Sequence, residues 1–67
     1  MNKKILLRDI IYILDRTAEL YYKGNYITNL ESIDFTDWLE YEVYYIESNY
    51  DVIYVYLINN VCLLYTS

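Results

Sequence analysis

Histidine and proline are absent from this 67-residue chain, and glycine, alanine and cysteine each occur once. Each shortage removes a class of chemistry. Without His, the common zinc-ligand sets and the nucleophile–base pairs of hydrolases cannot be assembled. A lone Cys closes no internal disulfide, and the single Gly24 supplies no glycine-rich loop to cradle a phosphate. Basic residues are also scarce, five against ten acids, for a net charge of −5. A domain of this size hides only about 60% of the surface its unfolded chain exposes, so its margin of stability is thin. These shortages argue against an enzyme and against a cofactor. They leave a small acidic binding protein, completed by a partner chain.

What the chain does have is tyrosine (11), isoleucine (9) and asparagine (6). All three have AT-rich codons, so a low-GC bacterium or its phage would produce much of this bias without selection for tyrosine. Whatever its origin, Tyr is amphipathic and favoured at interfaces. The apolar run after Lys3 and Lys4 is cut by Arg8 and Asp9, too early for a signal peptide. Residues 52–58, the longest apolar run, fall well short of the roughly 20 needed to span a membrane. The expected location is therefore the cytoplasm, of a host cell in the phage case, with no membrane partner.

Over residues 3–23 the apolar side chains Leu7, Ile10, Ile11, Leu14, Ala18 and Tyr21 recur at spacings of three and four, which predicts an amphipathic helix. Asn2 can cap its start, and Lys23-Gly24 suits its end. Residues 25–35 read as a loop with an edge strand. Residues 39–47 open with alternating apolar and acidic positions, meet a turn-like Ser48-Asn49-Tyr50-Asp51, and lead into the β-branched and aromatic residues 52–58. The preferred reading is a β-hairpin. Its rival makes Phe35, Trp38, Leu39, Val43 and Ile46 one face of a second helix, capped by Asp34 or Thr36. The expected fold is α+β: one N-terminal amphipathic helix packed on a small antiparallel sheet that contains a C-terminal hairpin. Because residues 52–58 are apolar at both parities, the sheet should need cover on its second face as well, and a homodimer is the expected cover.

The last six residues, Cys62-Leu63-Leu64-Tyr65-Thr66-Ser67, resemble one frame of the mosaic-end adaptor used in transposase-based sequencing libraries. That resemblance implies a single domain over residues 1–61 followed by a non-native tail over 62–67, with the true C-terminus missing. No function is placed on Cys62.

Charge is segregated along the chain. All five basic residues lie in the first 23 positions, whereas from Gly24 onward there are seven acids and no base. Such a surface repels nucleic-acid phosphates and steers toward basic partners, so direct nucleic-acid binding is not expected. Asp34, Asp37, Glu40 and Glu42 read as a solvated acidic face, because no calcium-loop pattern surrounds them. Trp38, between Asp37 and Glu40, suits either an interface anchor or a plug at the end of the chain's own core. Tyr44, Tyr54 and Tyr56 are the leading tyrosine candidates for partner contact. The expected contact set is thus Glu31, Asp34, Asp37, Trp38, Glu40, Glu42, Tyr44, Glu47, Tyr54 and Tyr56. In type the chain resembles the small acidic inhibitors that phages direct at host enzymes and defence systems, anti-CRISPR proteins among them. That resemblance implies a stoichiometric binder whose carboxylates stand in for phosphates in a basic groove of a host protein. The alternative is a dimerising regulatory or antitoxin-like module.

Overall fold

A strand that is apolar at both parities puts apolar side chains on both faces of a sheet, and a central place gives its backbone a partner on each edge. Residues 52–58 have that character, and their strand is central. The computed structural model describes residues 4–60, which run as α1 (Leu7–Ile10), a 3-10 turn (Ile11–Ile13), β1 (Glu19–Tyr22), β2 (Asn25–Asn29), a 3-10 helix (Ile33–Trp38), β3 (Tyr41–Asn49) and β4 (Val52–Asn60). The strands form one sheet in the order β2-β1-β4-β3. β3 and β4 make the expected hairpin, β1 and β2 make a second, and β1 lies parallel to β4. The class is α+β, with a short N-terminal helix and a C-terminal hairpin.

Two details differ from the sequence reading. The helix ends after one turn instead of reaching Lys23, and the sheet is mixed instead of antiparallel. Both follow from one competition. The run Ile10 to Ile13 is rich in β-branched residues that lose rotamer freedom in a helix, and α1 tightens there into a 3-10 turn. Leu20, which would continue the helix, is instead fully buried beside Val55 in the parallel register. Lys23-Gly24 does reverse the chain, but as a two-residue hairpin loop. Both residues have positive φ, 53° and 82°, as a type I′ turn requires. The edge strand expected within 25–35 is β2. The rival second helix survives only as the 3-10 helix, whose first turn is capped by Ser32 Oγ accepting from the Asp34 N–H at 3.2 Å. Asn2 and the tail over 62–67 lie outside the described residues.

One face of the sheet holds the core. Leu7, Leu20, Val55 and Leu57 are fully buried, and Phe35, Trp38 and Val43 are among the side chains packed around them. Each such aliphatic contributes roughly 1.5–3 kcal/mol by leaving water. α1 is held over this face from its N-terminal side. Leu6 bridges to Glu42, the Val43 N–H donates to the Ile5 carbonyl at 2.8 Å, and the Arg8 N–H donates to the Leu39 carbonyl at 3.1 Å. The Asp9 carboxylate accepts from the Leu6 N–H at 2.9 Å and fixes the start of the helix.

Candidate functional site

Side chains alternate across a strand, so the parity that buries Leu20, Val55 and Leu57 sends Tyr21, Tyr54 and Tyr56 to the opposite face. Register carries the pattern across the sheet. Tyr21 lies beside Tyr56 on one side and Tyr26 on the other, while Tyr45 lies beside Tyr56 from β3. A bulge in β3 makes Tyr44 an extra residue, which brings two consecutive tyrosines against Tyr56. A matching bulge in β2 makes Ile27 the extra residue and lets both Ile27 and Thr28 lie toward the core.

The result is a continuous layer of Tyr26, Tyr21, Tyr54, Tyr56, Tyr45 and Tyr44 over the outer face. Ring centroids along it are 5.3 to 6.3 Å apart. Tyr21, Tyr56 and Tyr45 form a row in which successive rings are tilted by about 35°. Tyr26, Tyr44 and Tyr45 each remain more than half exposed. Among the described residues, no helix or loop covers this face.

Two carboxylates sit within the layer. Glu19 lies beside Tyr54 in the β1–β4 register and Glu47 lies beside Tyr54 in the β3–β4 register, so one cross-strand row reads Glu19, Tyr54, Glu47. With strands about 4.8 Å apart, the two acids flank Tyr54 at backbone positions about 10 Å from each other. The Tyr21 hydroxyl donates to Glu19 Oε1 at 3.2 Å, and the Tyr56 hydroxyl donates to Glu47 Oε1 at 3.3 Å. Both phenols are held above their ordinary pKa of 10.0. Desolvation of the packed ring is the main cause in each. The hydrogen bond to Glu19 adds to it for Tyr21, and the charge of Glu47 adds to it for Tyr56. None of the basic residues with a described partner lies on this face. Lys4 pairs with Glu42, Arg8 pairs with Glu40, and Lys23 lies over the Tyr22 ring, which has core parity.

The expected contact residues therefore divide. Tyr44, Tyr54, Tyr56 and Glu47 come together on the outer face. Glu31, Asp34 and Asp37 are exposed in and beside the 3-10 helix, on the core side of the sheet. Glu40 and Glu42 are engaged with Arg8 at 2.9 Å and Lys4 at 3.5 Å, so the fold brings bases from the first segment against acids of the second. Trp38 is half-buried, 4.4 Å from the Tyr41 ring and 5.3 Å from the Tyr22 ring, in an aromatic cluster that closes one end of the core. Tyr21, Tyr26 and Glu19 belong to the outer layer and were missed. Their signal was the β-rich stretch on either side of Gly24, which the helical spacing of the preceding residues masked.

Elsewhere, Ile11, Leu14, Arg16, Leu30, Glu31 and Phe35 line an open cleft of about 460 Å³. Its described lining carries one charge of each sign, Arg16 and Glu31, and among the described residues no cluster of Cys, Asp and Glu is placed to hold a metal. No helix among the described residues is long and apolar enough to cross a membrane. Comparison with known proteins returns nothing for this chain: no family model, no curated protein and no solved structure matches it.

Proposed function

We propose that this chain is a small acidic, non-enzymatic binding protein that seats its outer tyrosine face on a basic surface of a host protein. It would act in the host cytoplasm as a phage-type inhibitor, of the anti-CRISPR or another anti-defence kind. The observation that carries the reading is the sheet face that no described element covers, in which six tyrosines in ring contact surround Glu19 and Glu47. Large aromatics that present an apolar body and a polar tip are the usual anchors of protein interfaces, and carboxylates among them select a basic partner. Affinity capture from a bacterial lysate tests it, using the intact chain beside a Tyr45→Ser/Tyr54→Ser/Tyr56→Ser variant. The intact chain should retain a basic protein that elutes as salt rises, and the variant should retain none of it. Retention that is indifferent to both salt and the variant would refute the proposal.

A second reading, a dimerising regulatory or antitoxin-like module, draws on the edge of the sheet. β3 is an edge strand whose outer side, among the described residues, is paired by Ile5 and Leu6 near Glu42 and Val43 and not beyond. From Tyr44 to Asn49 every residue is exposed, and an open edge of this length is a template for a second copy. Light scattering should then give twice the chain mass, falling to one chain mass in Ile46→Lys.

A further inference from the structure

We infer that the outer face is a receiving surface for arginine side chains, with one guanidinium lying on the Tyr54 ring between Glu19 and Glu47. This rests on the reading of the face as a basic-partner surface and narrows its chemistry. Three features of the face select the guanidinium over other groups. The row Glu19, Tyr54, Glu47 places a ring between two carboxylates, so a cation over that ring meets negative charge on both sides. Each carboxylate uses Oε1 to accept from a tyrosine hydroxyl, and Oε2 of each accepts from no group among the described residues. The adjacent row of Tyr21, Tyr56 and Tyr45 continues the aromatic surface with rings of similar inclination.

A guanidinium is planar, weakly hydrated, and carries N–H donors on more than one edge. It can stack on a ring while donating sideways to carboxylates. A lysine ammonium is a compact, strongly hydrated point charge and gains less from such a site. The same charge pattern disfavours a second copy as the occupant. Two outer faces brought together would gather the carboxylates of both copies in one interface, and Lys4, Arg8 and Lys23 all have their partners elsewhere.

Titration calorimetry with an oligoarginine and an oligolysine peptide of equal length tests the assignment on the full chain. The arginine peptide should bind about tenfold more tightly. Tyr54→Leu, which keeps an apolar strand side chain but removes the ring, should abolish that preference. Glu19→Gln with Glu47→Gln should weaken both peptides together. Circular dichroism of each variant establishes that the sheet is retained, and NMR shifts of the Tyr54 ring on adding the arginine peptide place the contact. Equal affinity for the two peptides would overturn the guanidinium assignment while leaving the basic-partner reading intact. Arginine preference surviving Tyr54→Leu would likewise overturn it, since the peptide would then bind elsewhere. Failure of both peptides to bind the folded chain would sink the assignment and the basic-partner reading together.

Discussion

The two faces of the sheet are made from the same strands yet solve opposite problems. On one, Leu20, Val55 and Leu57 are fully buried beneath α1 and the 3-10 helix. On the other, alternate positions of the same strands carry Tyr21, Tyr54 and Tyr56, whose rings pack on one another with no layer above them among the described residues. The difference shows how a short chain divides its apolar surface. The described helical residues shield one side, and the other is built from a side chain that tolerates water at one end.

Substitution should separate the faces most sharply at Leu57. Leu57→Ala removes a fully buried side chain at the centre of the core, at a cost of about 2–5 kcal/mol. That is enough to unfold much of a domain whose total stability is small. Tyr45→Ala, on the outer face and more than half exposed, should cost only about 0.5–1.5 kcal/mol through lost ring contacts. Urea denaturation monitored by Trp38 fluorescence measures both. Equal losses would mean that the outer layer is as much core as the inner one.

Alkaline titration probes the outer face alone. Tyr21 and Tyr56 are held above 10.0 by desolvation and by their neighbouring glutamates. The folded chain therefore prefers both phenols protonated. Their contribution to stability is complete below the unfolded tyrosine pKa and is lost as the pH climbs from 10 through the folded values. Phenolate absorbance should show two tyrosines ionising late, and Glu19→Gln should advance Tyr21 without moving Tyr56. Simultaneous ionisation of all the tyrosines would remove the hydrogen-bonded rows from the picture.

Much of this division was legible in the residues. The hairpin of β3 and β4 followed from β-branched and aromatic density with a turn-like Ser48-Asn49-Tyr50-Asp51, and the presence of apolar or phenolic side chains on both faces of the sheet followed from the composition of residues 52–58 at both parities. The helical spacing of Ala18 and Tyr21 misled because periodicity is a local signal, whereas the parallel pairing of Leu20 with Val55 joins segments more than thirty residues apart. The bulge at Tyr44 was invisible for a related reason. It shifts register by one position without any Gly or Pro to announce it, yet it determines that Tyr44 and Tyr45 both meet Tyr56. The acidic half also looked more uniform in the sequence than it is in space, because Arg8 and Lys4 return to Glu40 and Glu42.

Those two ion pairs give the smallest expected effect, and they sharpen the contrast from the covered side. Arg8 and Glu40 approach to 2.9 Å, but their side chains are 57% and 38% exposed, so water and salt screen the attraction. Such pairs contribute about 0–1 kcal/mol. Glu40→Gln should lower the denaturation midpoint slightly at low salt and by less at high salt, with the arginine peptide bound as before. A large loss of stability would mean that this strap from α1 to Glu40, just ahead of β3, and not the burial of Leu7 beneath it, holds the covering layer in place. A loss of peptide binding at unchanged stability would move the acceptor from Glu19 and Glu47 to the opposite face, and with it the division of labour between the two sides of the sheet.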